Sequence, residues 1–118
     1  MRIHLASVAV DDQQKALRFY TETLGFQLKH NIPLGEHAWI TVVSPEAPEG
    51  TQLVLEPDVH PAVRSLKEAL VKDGIHWTAF AVDDVKAEHE RLTARGVRFV
   101  LPPTDMGTII AAVFDDSC

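Results

Sequence analysis

The feature that most constrains this chain is an internal repeat. Ala9-Val10-Asp11-Asp12 returns as Ala81-Val82-Asp83-Asp84 after 72 residues. Each copy closes an apolar stretch and opens a segment of helical periodicity that stops at a glycine. Ala16, Leu17, Tyr20 and Leu24 predict one face of a helix over Gln13–Leu24, and Gly25 suits the left-handed stop. Val85, His89 and Leu92 predict its counterpart over Val85–Arg95, closed by Gly96. The aspartates are N-cap residues, whose side-chain oxygens accept from the free N–H groups of a first turn. A chain of 118 residues supports one hydrophobic core, and a 72-residue shift is too long for a solenoid unit. The repeat is therefore a two-fold duplication within a single domain, residues 1–118.

The stretches between the helices predict strands. In the first half these are Ile3–Val10, Phe26–His30, Ala38–Val43 and Gln52–Glu56, with a proline-rich loop over Ser44–Gly50, so module one (1–58) reads βαβββ. A connecting helix (60–74) opens at Pro61, carries Ala62, Val63, Leu66, Ala69 and Leu70 on one face, and ends at Gly74. Module two (75–118) opens with a strand through Ala81-Val82. After its helix come a strand over Val97–Leu101, a turn at Pro102-Pro103-Thr104-Asp105 and a strand over Thr108–Phe114. That is one strand fewer than in module one. The expectation is that the chain stops short of this last strand or takes it from a partner.

Composition narrows the function. Net charge is −6 and the basic residues are scattered, which excludes the clustered cations of a nucleic-acid-binding protein. No apolar run reaches membrane-spanning length, and residues 1–10 lack the pattern of a signal peptide. The single cysteine, Cys118, forms no internal disulfide, so a cytoplasmic location is expected.

Val10-Asp11-Asp12, Lys15-Ala16-Leu17-Arg18-Phe19-Tyr20, Leu24-Gly25-Phe26 and Leu53-Val54-Leu55-Glu56 resemble the vicinal oxygen chelate superfamily of glyoxalases, bleomycin-resistance proteins and extradiol dioxygenases. In the second half, Phe80-Ala81-Val82-Asp83-Asp84 and Arg91-Leu92-Thr93-Ala94-Arg95-Gly96-Val97 carry the same resemblance. It implies an α+β fold in which two βαβββ modules form an open, cup-like curved sheet. In metal-dependent members it also implies a divalent ion in the cup, held by His or Glu on the first and last strands of each module. Such an ion acts as a Lewis acid on vicinal oxygens of a substrate.

Counting from Asp12 and Asp84, the implied first-strand ligand positions fall on Leu5 and Trp77. His4 and His76 each lie one place away, and adjacent strand residues point to opposite faces. Ser7 and Ala9 share a face with Leu5, as Ala79 and Ala81 do with Trp77, and these small residues leave volume for a ligand. Only a β-bulge in each first strand would return the histidines to the cup. The third position falls on Glu56 and the fourth beyond Cys118. Leucine and tryptophan cannot coordinate a metal, so no metal site and no cofactor are expected.

Glu56 is the candidate catalytic residue, because burial in an apolar cup would favour its neutral form and suit proton abstraction. Its bland alternative is a strand-end carboxylate before Pro57. Trp39 and Trp77 are candidate walls for an aromatic or cationic ligand, against ordinary core packing. Leu5, Ser7, Trp39, Glu56, Trp77 and Ala79 form the candidate ligand-binding set. His37 shares the parity of Trp39 and reads as exposed at its strand start. His89 reads as a hydrogen-bonded, half-buried histidine, and His60 as a residue at the start of a helix. The expected function is binding of a small organic molecule in the cup by a homodimer. The alternative is a metal-dependent glyoxalase- or dioxygenase-like enzyme that uses Glu56.

Overall fold

A computed structural model describes residues 1–118 as an α+β chain with an open, mixed sheet. Its contacts divide it into two compact units, Met1–Ala79 with Cys118 and Phe80–Ser117.

The first unit starts with β1 (Leu5–Val10) and α1 (Gln13–Arg18). Asp12 caps α1 as expected: it is extended, and Oδ1 accepts from the N–H groups of Gln14 and Lys15, each at 3.0 Å. The helix then widens over Phe19–Thr23 into a π-helical turn, in which the Leu24 N–H reaches back five residues to the Phe19 carbonyl. Tyr20 is buried there beneath Phe26 and edge-on to Phe19. Gly25, at φ +93°, reverses the chain into β2 (Gln27–Leu34), followed by β3 (His37–Val43) and β4 (Gln52–Pro57).

The strands lie in the order β1-β4-β3-β2, with β1 parallel to β4 and the other pairs antiparallel. Register divides their side chains between two faces. One face carries Val10, Leu55, Ile40 and Val42, all fully buried, and α1 lies against it at β3 and β4 with Ala16 buried. This is the core. Burying each such aliphatic side chain stabilises by roughly 1.5–3 kcal/mol. The other face carries Leu5, Ser7 and Ala9 beside Gln52, Val54 and Glu56. It continues across Thr41, Trp39 and His37 to His30, Ile32 and Leu34.

The second unit contains α3 (Val85–Ala94), β5 (Arg98–Asp105) and β6 (Ile110–Asp115). Asp84 caps α3 through Oδ1 to the Ala87 N–H, so the duplicated Val-Asp-Asp turns do the same work twice. Leu92 and Val97 are its buried apolar residues. His89 is half-buried against Phe99, rings edge-on with centroids 4.5 Å apart, and Phe99 meets Phe114. Its partner is thus aromatic, where the sequence predicted a hydrogen bond.

Two strand expectations are corrected here. Pro102-Pro103-Thr104-Asp105 is not a turn but part of β5. The register jumps from Leu101↔Val113 to Thr104↔Ala111, so the irregularity takes up the prolines, which have no N–H to offer a ladder. The chain turns instead at Met106–Ile109, where the Gly107 N–H binds Asp105 Oδ1. The strand expected at the start of module two is not formed, and residues 75–84 belong to no sheet. In module one β1 is held by its parallel ladder to β4, and no strand within 75–118 plays the part of β4. Module two is therefore αββ, because an extended segment without a ladder partner is not a strand.

The first unit continues after β4 with α2 (Pro61–Asp73), with Pro61 at its first position, His60 as N-cap and Gly74 at φ +68°. None of its residues is fully buried, and Val63, Lys67 and Leu70 are half-buried. It is held by Asp58, a buried carboxylate after β4 whose N–H binds the Val10 carbonyl. Lys67 Nζ meets Asp58 Oδ2 at 2.8 Å, and Arg64 Nε binds the Asp58 carbonyl at 3.0 Å. Lys67 also reaches the Cys118 carbonyl. No helix is long and apolar enough to cross a membrane.

The hydrogen bond from Lys67 holds the Asp58 carboxyl below its ordinary value, against the opposing effect of burial. A depressed carboxylate stabilises the fold above the ordinary carboxylate range, and that contribution is lost as pH falls through the depressed value. Asp58→Asn is expected to cost about 1–3 kcal/mol at pH 7. It should also flatten the loss of stability below about pH 4. Denaturant midpoints at pH 7 and below pH 4 check both, and an unchanged pH dependence would contradict the assignment.

Candidate functional site

The face of the four-stranded sheet opposite α1 gathers four of the six residues expected to bind a ligand. A single row crosses all four strands as Ser7, Val54, Thr41 and His30, each paired to the next. Beside it lie Ala9 paired with Glu56, and Trp39 paired with Ile32, while Leu5 paired with Gln52 lies on the other side. Leu5, Ser7, Trp39 and Glu56 therefore share one face. The rim is open: Leu5 is 39% exposed, Ser7, Glu56 and His37 are exposed, and Trp39 is half-buried.

The middle of the face is closed. Thr41, Val43, Val54 and Gln52 are buried there. At the end next to Val43 and Gln52, Lys29 Nζ ties β2 to the 44–50 loop through the Pro48 carbonyl and Glu49 Oε1, each at 3.2 Å. Thr41 Oγ1 is fully buried and has no hydrogen-bond partner. A hydroxyl left so costs about 1–3 kcal/mol.

Trp77 and Ala79 are not on this face. They lie in the irregular segment after α2, and Trp77 is 70% exposed, because the strand that would have aimed them is not formed. Glu56 is exposed, so the apolar surroundings expected for a general base are not formed around it. Two shallow depressions lie elsewhere. One of about 280 Å³ is lined by Arg2, Ile3, His4 and Glu49–Thr51, the other of about 430 Å³ by Val82–Lys86, Ile109 and Ile110.

Of the metal-ligand positions that the resemblance implies, this face carries Leu5 and Glu56, and only Glu56 has a donor atom. β1 pairs with β4 without a register shift from Leu5 to Val10, so no bulge turns His4 onto it. Leu5 offers no donor atom where the resemblance implies a ligand, and no three His, Cys, Asp or Glu side chains converge anywhere in the chain.

One contributing residue was missed from the sequence. Gln13, at the start of α1, sends its side-chain amide into the sheet. Nε2 donates to the Ala38 carbonyl at 2.7 Å and to the Leu55 carbonyl at 2.8 Å, and Oε1 accepts from the Ala38 N–H at 3.0 Å. A glutamine at the first position of a helix carries no such signal. Its role follows from the helix crossing β3 and β4.

The model of the Glyoxalase/Bleomycin resistance protein/Dioxygenase superfamily matches residues 2–117. The chain belongs to that superfamily. It is 46% identical over 118 residues to the uncharacterized protein YurT of Bacillus subtilis (strain 168), covering all of this chain and 93% of YurT. The crystal structure of UcmS2 matches with a TM-score of 0.82 and 31% identity, over 97% of this chain and 89% of UcmS2. TnmS3, an antibiotic binding protein from Streptomyces sp. CB03234, matches with a TM-score of 0.77 and 31% identity, over 98% of this chain and 87% of TnmS3.

Thr41→Val replaces the unpartnered hydroxyl by a methyl group of similar size. It is expected to leave the free protein as stable or to stabilise it by about 1 kcal/mol. Thermal unfolding with and without added compounds checks this, and a loss above about 1 kcal/mol without ligand would show that the hydroxyl is bonded in solution.

Proposed function

We propose that this superfamily member binds a small organic molecule on the sheet face bearing Leu5, Ser7, Trp39 and Glu56, and does so without a metal ion. The observation that carries the reading is the convergence of one indole, one carboxylate, one hydroxyl and one aliphatic side chain on a face whose metal-ligand position is leucine. Trp39 offers a flat apolar surface, and Glu56, on the strand paired with that of Ser7, offers a charged acceptor. Together they suit a flat aromatic compound with a cationic or hydrogen-donating group. The similarity to an antibiotic binding protein supports a small organic ligand. Trp77 and Ala79 have no part in the floor of this site. In this reading Glu56 accepts from the ligand and performs no proton transfer.

A second copy of the chain completes the assembly. β1 has a ladder partner only in β4 and stands at the edge of its sheet, a position suited to pairing with another chain. The single cysteine, Cys118, has no second cysteine in the chain to bridge to, which fits a cytoplasmic setting.

The test uses protein purified without chelators, in a Trp77→Phe background so that Trp39 is the fluorescent indole. Titration with the flat aromatic cations proflavine, ethidium and berberine should quench Trp39 saturably for at least one of them. Glu56→Gln should weaken that binding about tenfold, as should Trp39→Ala read from the fluorescence of the dye. Added nickel, zinc, manganese or iron should leave the unfolding temperature unchanged. Absence of saturable quenching by all three dyes would overturn the binding reading. A stoichiometric ion with a large thermal shift would overturn its metal-free part.

A further inference from the structure

We infer that Gln13 is a positioning residue of this site: its amide replaces the ladder between β3 and β4 and sets the separation of Trp39 from Glu56. The inference rests on the binding reading above. β3 and β4 pair at Thr41↔Val54 and Val42↔Leu53, and there the paired register stops. An uninterrupted antiparallel ladder would bring Ile40 opposite Leu55 and Trp39 opposite Glu56, with paired Cα atoms about 4.5–5.5 Å apart. Instead, the carbonyls of Ala38 and Leu55 converge on one nitrogen, Gln13 Nε2, and the Ala38 N–H turns to Gln13 Oε1.

A primary amide presents two donors and a carbonyl acceptor, which lets it stand in for a peptide group in a sheet. Gln13 therefore acts as a one-residue insert: it satisfies backbone groups on both strands while holding them apart. The contacts lie on the α1 side, yet their effect is felt on the other face. Trp39 follows Ala38 and Glu56 follows Leu55, so the backbone atoms that Gln13 grips adjoin the Cα atoms that carry the indole and the carboxylate. Fixing the strands apart at these carbonyls opens a seam between Trp39 and Glu56 in the floor of the site. A seam of this kind suits the edge of one flat ring and disfavours a bulky tetrahedral cation, so Gln13 sets the shape of ligand the site accepts.

The test compares Gln13→Met, which keeps the length of the side chain without its polar atoms, with Gln13→Glu, which keeps an acceptor for the Ala38 N–H. Ala16→Gly serves as control, because it destabilises the same helix without touching the amide. Affinities are measured for proflavine, as the flat cation, and tetraphenylphosphonium, as the bulky one. Amide hydrogen exchange is followed at Ala38. In Gln13→Met, exchange at Ala38 should quicken by about tenfold or more, and proflavine's preference over tetraphenylphosphonium should shrink by about tenfold. Gln13→Glu should retain protection at Ala38 better than Gln13→Met, and Ala16→Gly should keep the preference within about twofold.

If Gln13→Met keeps both affinities while Trp39→Ala loses proflavine, the positioning role is overturned and the binding reading stands. If Ala16→Gly erodes the preference as much as Gln13→Met, the role is merely structural and the inference fails. If neither Gln13→Met nor Trp39→Ala changes proflavine binding, the binding reading itself fails. Should Gln13→Met not fold, Gln13→Glu decides by the same comparison.

Discussion

The parallel ladder between β1 and β4 is the interaction on which the rest of this structure depends. It runs without a register shift from Leu5↔Gln52 to Val10↔Pro57 and joins the two ends of module one. Because strand side chains alternate, this one register sends Val8, Val10 and Leu55 to the core and Leu5, Ser7, Ala9 and Glu56 to the opposite face. A slip of one residue would exchange His4 for Leu5 and change the chemistry of the site. The ladder also delivers Asp58 to the end of β4, where it meets Lys67 and Arg64 and ties α2 to the sheet.

The duplication in the sequence has an unequal outcome in the fold. Both Val-Asp-Asp turns cap a helix with the second aspartate, and both helices end near a glycine with positive φ. These are local devices that need only the residues beside them. The strand before each turn is different, because it requires a distant partner. Residues 5–10 have one in β4, and residues 75–82 do not. A sequence pattern can specify that a segment is suited to a strand, but pairing is decided by what lies elsewhere in the chain.

The same distinction explains how much of the site was legible. Leu5, Ser7, Trp39 and Glu56 were placed together by parity and by the family resemblance, and register puts them on one face. Trp77 and Ala79 were assigned by the symmetry of the repeat, and the strand that symmetry required is not formed. The proline-rich stretch of β5 was read as a turn because its bulges are a property of the pair, not of the segment. Gln13 and Thr41 were invisible for a related reason. One acts through three backbone groups in β3 and β4, and the other matters because its buried hydroxyl lacks a partner. Neither property is carried by residue type or spacing.

The central claim is that a ligand sits on the sheet face opposite α1. Backbone and indole NMR resonances, followed as proflavine is added, test it most directly. The account predicts shifts concentrated at Ser7, Trp39, Thr41 and Glu56. Shifts confined to residues 2–4 and 49–51, or to 82–86, 109 and 110, would place the ligand in one of the two shallow depressions and contradict it.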